Sequence, residues 1–229
     1  MAQSVLVIAD SGSGKSSSMR NLNPAETFVI NIANKPLPFK GWKSKYSSLT
    51  SKDITTGNMS KAQTANSILW CLSEISEKRP EIKNVVIDDL QYMSAFEYFD
   101  RANERGYDKF TDIATNLAAV ARAPKDLRDD LYVFFLTHSE DFSDPSGAKR
   151  VKAKTVGKMI DNALTLEGLF SIVLYARVIK DPEGKIQYVF ETQNNGENTC
   201  KAPLGMFDTP TISNDLQVVK EAIISYENE

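Results

Sequence analysis

One short segment near the N-terminus constrains the fold more than any other part of the chain. Residues 9–18, ADSGSGKSSS, follow the apolar run SVLVI and match the phosphate-binding pattern G-x-x-x-x-G-K-[ST], except that Ala9 occupies the first glycine position. That position ends the strand and tolerates a methyl group, whereas Gly12 and Gly14 lie where the backbone has to approach a ligand. The segment therefore predicts a buried strand, a glycine-rich turn and a helix that begins at Lys15.

A turn of this kind binds the phosphates of a nucleotide. Its backbone N–H groups surround phosphate oxygens, and the start of the following helix adds a partial positive charge. We expect Lys15 to contact the β- and γ-phosphates and the Ser16 hydroxyl to bind Mg²⁺. The predicted nucleotide-binding residues are Ala9, Asp10, Ser11, Gly12, Ser13, Gly14, Lys15, Ser16 and Ser17.

A second segment supplies the carboxylates that such a site needs. Residues 84–92, NVVIDDLQY, read as a buried strand ending in Asp88 and Asp89. In phosphate-loop proteins an acidic residue at this strand end holds Mg²⁺, usually through water, and we assign that role to Asp88. Asp89 either orients the attacking water or caps the helix that follows. This strand argues against the alternative for the first segment, a serine- and glycine-rich loop with an incidental lysine.

A third segment indicates which nucleobase the site prefers. Residues 34–37, NKPL, begin like the guanine-reading motif N-K-x-D, but Leu37 stands where the discriminating aspartate belongs. The predicted cofactors are therefore ATP and Mg²⁺.

The remaining periodicity predicts an α/β fold. Short, continuous apolar runs are typical of strands buried on both faces, and they occur at 5–8, 27–32, 84–88, 131–137 and 169–178. Between them, residues 61–78 and 110–123 carry apolar side chains at helical spacing. This alternation predicts an open, mostly parallel sheet flanked by helices, followed by a hairpin that turns at Asp181–Gly184 and a closing helix over 214–227.

Composition favours a single domain that is not inserted in a membrane. With 229 residues and 41% hydrophobic content, we expect one domain over residues 1–229. The apolar runs are strand-sized and the N-terminal run is too short for a signal peptide, so no membrane association is expected. Cys71 and Cys200 form no C-x-x-C pair and suit a reducing cytoplasm. Because the net charge is −3, any nucleic-acid binding would depend on local basic patches.

Six segments together carry a resemblance to a known family. They are ETFVINIANKPLPFKGW, VVIDDLQY, LRDDLYVFFLTHSE, KTVGKMIDN, LEGLFSIVLYA and TQNNGENTCKAPLGMF. Over residues 4–225 the chain resembles phage-encoded ATPases with a minimal RecA-like core, the Sak-type single-strand annealing recombinases and related phage nucleotide-binding proteins. The resemblance implies an ATPase in the host cytoplasm that binds single-stranded DNA, forms a homo-oligomeric ring or filament, and promotes annealing or strand exchange in phage recombination. A single-strand-binding protein is a further candidate partner.

The chain departs from RecA-like enzymes at the catalytic glutamate. Those enzymes carry it just after the strand that follows the phosphate-loop helix, where this chain has Ala33, Asn34 and Lys35. Asp89 is the nearest substitute. Slow hydrolysis, with ATP acting mainly as an assembly switch, is therefore expected.

The RecA-like architecture also suggests residues that respond to the γ-phosphate. Thr137 and His138 end the 131–137 strand, where RecA-like and AAA proteins place a polar sensor. The alternative for His138, the one histidine of the sequence, is a structural hydrogen bond. RecA-like assemblies complete the ATP site with basic residues of the adjacent subunit, and Arg177 or Lys201 could serve in this way. For Lys201, an ordinary loop lysine is the equal alternative.

Two basic segments are candidates for binding single-stranded DNA. Residues 145–158 follow the sensor strand, where RecA-like proteins carry a DNA-binding loop, and contain cations but no acid, which suits contacts to phosphates whatever the sequence. The alternative is a solvated basic loop. Residues 34–46 interleave lysines with aromatic rings, as single-strand binding requires, but Pro36 and Pro38 also suit a stiff strap that packs these rings on the body or on a neighbouring subunit. The predicted DNA-binding residues are Lys149, Arg150, Lys152, Lys154 and Lys158.

Three other functions compete with recombination. A helicase loader or AAA-type remodelling ATPase should bring a C-terminal helical lid with a sensing arginine, yet no arginine follows residue 180. A small-molecule or nucleotide kinase usually has an arginine-bearing lid, and residues 141–158 contain only Arg150. A nucleotide-gated binding module with little hydrolysis agrees with the missing glutamate.

Overall fold

The structure, a computed structural model, describes residues 1–143, 147, 149–156 and 164–228. The strands of the described part are β1 (Gln3–Ala9), β2 (Thr27–Asn31), β3 (Met59–Ser60), β4 (Asn84–Asp88), β5 (Tyr132–Ser143), β6 (Lys149–Ala153), β7 (Ile172–Lys180), β8 (Ile186–Glu191) and β9 (Thr211–Ser213). Its α-helices are α1 (Trp42–Lys45), α2 (Ala65–Lys78), α3 (Gln91–Asp100), α4 (Asp108–Arg122) and α5 (Leu216–Asn228).

A single sheet organises these elements. Its strand order is β3-β2-β4-β5-β1-β7-β8-β9, and β6 pairs with the far end of β5. The pairs from β3 to β7 are parallel, whereas β7–β8, β8–β9 and β5–β6 are antiparallel. β5 separates β1 from β4, so the phosphate loop and the paired aspartates leave the same edge of the sheet one strand apart. The predicted mostly parallel sheet is confirmed.

Helices cover both faces of the sheet because successive strand residues point to opposite sides. On β5, Val133 and Phe135 join a core with α2, α3 and α4, whereas Phe134 and Leu136 join a second core with α5. All four side chains are completely buried, and burial of each contributes roughly 1.5–3 kcal/mol. The continuous apolar runs in the sequence reflect this burial on two sides.

The start of α2 shows how a polar residue sets a helix boundary. Thr64 accepts a hydrogen bond from the backbone N–H of Ser67, and the Ser67 hydroxyl accepts one from the backbone of Thr64. A cap of this type contributes about 1 kcal/mol. The helix therefore begins at Ala65 and not at residue 61.

The helix predicted to begin at Lys15 is not an α-helix. Residues Ser16–Asn21 form a short 3-10 helix, and Lys15 occupies its N-cap position. The Ser18 hydroxyl donates to the carbonyl of Lys15 at 2.5 Å, which is the kind of local bond by which serines compete with a regular helix. Pro24, three residues beyond the last turn, also favours a break.

The predicted C-terminal hairpin and closing helix are confirmed. β7 and β8 are joined by a turn in which Gly184 has φ +82° and donates its N–H to the carbonyl of Asp181 at 2.9 Å. The side chain of Asp181 accepts further bonds from the backbone N–H groups of Glu183 and Lys185. α5 then buries one apolar stripe against the second face of the sheet.

Two other observations concern chemistry and environment. Cys71 and Cys200 are both buried and free. Among the described residues, no helix combines the length and the apolar character needed to cross a bilayer.

Candidate nucleotide-binding site

A cleft of about 630 Å³ opens where β1 and β4 end, beside His138 of β5. It is bounded on one side by the loop after β1 and on the other by His138 and by residues that follow β2 and β4. Its lining residues are Asp10, Ser11, Gly12, Gly14, Lys15, Ser16, Ser17, Arg20, Lys35, Pro38, Asp89, His138, Tyr188 and Asn214. This position, outside the carboxyl ends of parallel strands, is the usual ligand site of open α/β sheets.

The loop itself depends on two glycines in the left-handed region. Gly12 has φ +83° and Gly14 has φ +88°. A Cβ atom on Gly14 would lie 2.9 Å from the ring of Tyr188, while one on Gly12 would meet nothing within 4 Å. Gly14 is thus required by the chain's own packing as well as by its backbone. Ala9, in place of the first glycine, is completely buried at the end of β1.

Lys15 and Ser16 reach across to the end of β4. The Nζ atom of Lys15 lies 3.3 Å from Oδ1 of Asp88 and also pairs with Oδ1 of Asp89. The Ser16 hydroxyl donates to Oδ1 of Asp88 at 2.8 Å. Lys15 is 6% exposed and Asp88 is 4% exposed. The structure therefore brings the predicted phosphate-contacting lysine and the predicted metal-side residues together in one buried cluster.

Ser16 and Asp88 form a donor set that fits Mg²⁺. A hydroxyl and a carboxylate are both hard oxygen ligands, and they lie within hydrogen-bond distance of each other. Mg²⁺ usually binds through one or two such protein groups and completes its octahedron with water and substrate phosphates. Both residues lie beside the loop that would hold the phosphates.

Asp89 is the most heavily partnered carboxylate of the cleft. It is 1% exposed, and its backbone adopts φ +64°, which is uncommon for a residue other than glycine. Oδ2 lies 2.5 Å from Nζ of Lys35, and Oδ1 lies 3.5 Å from Nε2 of His138 as well as pairing with Lys15. Burial by itself raises the pKa of this carboxyl group, but the hydrogen bond from His138 and the two lysine charges outweigh it and hold the pKa well below its usual range.

The alternative role of Asp89 as a helix cap is wrong. α3 begins at Gln91 with Leu90 in the N-cap position, and no side chain caps it. The left-handed backbone of Asp89 turns its carboxylate to the two lysines instead.

Of the two sensor candidates, His138 alone lines the cleft. Thr137 is completely buried, and its hydroxyl donates to Oε1 of Gln91 at 3.3 Å. The backbone N–H of His138 donates to the same Oε1 at 3.1 Å. Adjacent residues of a strand point to opposite sides of the sheet, so only one of Thr137 and His138 can face the cleft.

The candidate trans-subunit residues lie outside this cleft. Arg177 lines a second cavity of about 400 Å³, and Asp10, Ser11 and Gly12 line both this cavity and the cleft. Its guanidinium pairs with Glu191 at 2.9 Å and lies 3.8 Å from Glu197, within the same chain. Lys201 is exposed and exchanges backbone hydrogen bonds with Val173.

The basic segment is a strand for much of its described length, so its interpretation as a loop is wrong. Residues Lys149–Ala153 form β6, which pairs with an extension of β5 that runs to Ser143, beyond the predicted end at 137. The segment has no acidic residue of its own, but β5 places acidic side chains beside it. Nζ of Lys152 lies 3.1 Å from Oε1 of Glu140. Lys149 and Lys154 are exposed, Arg150 is half-buried, and Lys158 lies outside the described residues.

Residues 34–46 pack their aromatic rings on the body of the protein. Leu37 and Tyr46 are buried, and Phe39 and Trp42 pack against the same core. This is the strap that the two prolines suggest, packed within the chain. Lys35, by contrast, turns into the cleft.

Five further residues of the cleft were not identified as nucleotide-site residues in the sequence: Arg20, Lys35, Pro38, Tyr188 and Asn214. Tyr188 is half exposed, and Asn214 donates from its amide to the carbonyl of Ser13 at 3.3 Å. Both lie far from the loop in sequence, and no motif marks them. Only Lys35 is indicated by the sequence, because it lies just after β2, at the position where RecA-like enzymes carry a catalytic glutamate.

Comparison with known proteins places the chain among nucleotide-binding domains. A family model described as an AAA domain matches residues 1–204. Among solved structures, the chain is similar to the genome packaging NTPase B204 from Sulfolobus turreted icosahedral virus 2 in complex with ATP-gammaS, with a TM-score of 0.39 and 13% identity over 80% of this chain and 78% of that chain. A similarity of this strength supports no conclusion about activity. No curated protein matches.

Proposed function

The chain belongs to this AAA domain family, and from that premise we propose that it is a Mg²⁺-dependent ATPase that binds single-stranded DNA, oligomerises, and promotes annealing or strand exchange in phage recombination. The coarser conclusion, a P-loop NTPase domain of the AAA type, follows from the family and the sheet topology. The substrate, the metal and the DNA are the proposed part.

The single observation that carries ATP binding is the meeting of Lys15, Ser16 and Asp88. A buried ammonium on a glycine-rich loop beside a hydroxyl–carboxylate pair is the arrangement that holds a nucleoside triphosphate with its Mg²⁺. Lys15 pairs with Asp88 and Asp89, and the phosphates of a bound nucleotide would replace these partners. Leu37 favours ATP, because a guanine-reading aspartate is absent from that position.

Asp89 is the proposed water-positioning group. Its low pKa keeps it ionised near neutral pH, so it can accept a hydrogen bond from water. RecA-like enzymes carry a catalytic glutamate where this chain has Ala33, Asn34 and Lys35, and Asp89 is only its nearest substitute. We therefore expect slow hydrolysis.

The β5–β6 hairpin supports DNA binding coupled to the nucleotide. Its exposed cation Lys149 lies opposite Ser143 at the end of β5, and the exposed Lys154 donates its backbone N–H to the carbonyl of His138 at 2.8 Å. At its base, the Ser139 hydroxyl donates to the carboxylate of Asp10 in the phosphate loop. A change in the loop on binding ATP can therefore bias the hairpin. The recombination role and the oligomer rest on the resemblance to Sak-type recombinases.

Steady-state ATP turnover with and without single-stranded DNA tests this proposal. We expect slow turnover that single-stranded DNA stimulates and that requires Mg²⁺. The second candidate, a nucleotide-gated binding module, is favoured by the absence of a carboxylate at residues 33–35. ATP binding with no turnover under either condition would support that candidate and refute the ATPase.

A further inference from the structure

A second lysine of the cleft, Lys35, has a position that the phosphate-binding pattern does not explain. Within the described residues, the lysine and arginine side chains that line the cleft are Lys15, Arg20 and Lys35. Arg20 donates to the backbone carbonyls of Ser17 and Asn214, away from β4. Lys35 therefore shares with Lys15 the end of the cleft where the paired aspartates lie.

The backbone of Lys35 is held in place by the end of β2. Asn31, the last residue of β2, is 4% exposed, and its side chain forms two hydrogen bonds with the backbone of Lys35. Its amide donates to the Lys35 carbonyl at 2.7 Å, and its Oδ1 accepts from the Lys35 N–H at 3.2 Å. Between them, Asn34 adopts φ +51°. This tight turn fixes the base of the Lys35 side chain beside the cleft.

The tip of the side chain converges with Lys15 on one carboxylate. Nζ of Lys35 lies 2.5 Å from Oδ2 of Asp89 and 5.6 Å from the ring centre of Tyr92, while Lys15 occupies Oδ1 of the same aspartate. The Lys35 side chain is 57% exposed, so its flexible stem has room to move.

The charge balance at this end of the cleft changes when a triphosphate binds. Asp88 and Asp89 both repel the phosphates of ATP. Lys15 and a Mg²⁺ ion held at Ser16 and Asp88 would together carry less charge than the two carboxylates and the triphosphate. A mobile ammonium already beside Asp89 can move to a phosphate oxygen and form a charge-assisted hydrogen bond.

We propose that Lys35 binds the terminal phosphate of ATP in cis and makes the site prefer a nucleoside triphosphate over the diphosphate. This inference rests on the proposed function, in that it requires ATP to bind at the phosphate loop. The competing explanation is that Lys35 only neutralises Asp89.

Calorimetric titration of Lys35→Met with Mg²⁺ and either ADP or a non-hydrolysable ATP analogue tests the proposal. Loss of one charge-assisted hydrogen bond should weaken the ATP analogue by about tenfold or more and ADP by less than about twofold. Lys61→Met is the matched control, because Lys61 is an exposed lysine after β3 that does not line the cleft. Equal losses for both nucleotides, or none, would overturn the assignment. A wild-type chain that binds neither nucleotide would instead refute the proposed function.

Two more variants separate direct contact from an effect through Asp89. Lys35→Arg keeps a cation and should retain most of the preference for the triphosphate. In an Asp89→Asn background, Lys35→Met should still weaken the ATP analogue by about tenfold, because the phosphate contact does not need the carboxylate. If the effect disappears in that background, Lys35 acts through Asp89 and the proposal fails. Thermal unfolding of each variant confirms that it is folded.

Discussion

Asp89→Asn is the most informative substitution in the cleft, because the side chain keeps its shape while it loses its charge and exchanges one acceptor oxygen for an amide donor. The structure gives Asp89 three partners, Lys15, Lys35 and His138, around a carboxylate that is 1% exposed. Removing one member of a buried ion pair costs about 3–5 kcal/mol. The cost here is smaller, because Lys15 keeps Asp88 and the Lys35 side chain can return to water. We expect a loss of about 2 kcal/mol of unfolding free energy near neutral pH.

Thermal and urea unfolding measure this loss. For a chain of this size, 2 kcal/mol corresponds to a decrease in Tm of about 4–8 °C. The folded-state pKa of Asp89 is lowered, so its contribution is present above the unfolded value, near pH 4, and is lost as the pH falls below it. The difference between wild type and Asp89→Asn should therefore shrink below about pH 4.

Asp129→Asn is the control, because Asp129 is exposed and lies outside the cleft. It should leave the Tm within about 1 °C of wild type. Equal stability of Asp89→Asn and wild type at pH 7, or a stability difference that is as large at pH 3 as at pH 7, would refute the view that an ionised Asp89 organises the cleft. Asp89→Asn should also bind ATP and hydrolyse it more slowly than wild type does. Unchanged turnover in Asp89→Asn would exclude a water-positioning role for Asp89.

The remaining predictions concern the metal and the DNA. Asp88→Asn should weaken ATP binding about tenfold in Mg²⁺ and much less in a chelator, as measured by calorimetry, since Asp88 lies on the metal side; equal losses with and without Mg²⁺ would contradict that. Replacing Lys149, Arg150, Lys152 and Lys154 with Gln should flatten the salt dependence of binding to a labelled oligonucleotide, measured by fluorescence anisotropy, by a slope of up to about 3. Lys149 and Lys154, which are exposed, should account for about 1.4 of it, and Lys152, already paired with Glu140, for less. An unchanged affinity and slope in the quadruple variant would place the DNA surface elsewhere.

The core of the site could be predicted from the sequence because each half is a local pattern. A strand followed by a glycine-rich loop and a strand ending in two aspartates are both visible within about ten residues. Parallel strands then place their carboxyl ends at one edge of the sheet, so Lys15, Ser16 and Asp88 meet there.

The rest could not be predicted because it depends on which distant segments the fold brings together. Tyr188 and Asn214 reach the cleft from β8 and from the residue after β9, and neither position has a motif. Lys35 enters the cleft through the Asn31 turn, a contact that only the folded backbone shows. The extension of β5 to Ser143 is polar and partly exposed apart from Phe142, so it lacks the apolar run that identifies a buried strand.

Calorimetric titration of Mg²⁺ and ATP into wild type and Lys15→Ala tests the central claim most directly. Among the residues that the structure describes, Lys15 is the one ammonium that contacts both Asp88 and Asp89, and a phosphate chain in the loop has no substitute for it there. The wild-type chain should bind one ATP, and Lys15→Ala, shown to be folded by circular dichroism, should lose at least about a hundredfold in affinity. ATP binding of equal affinity in both chains would contradict the claim that the loop of residues 9–16 is the nucleotide site.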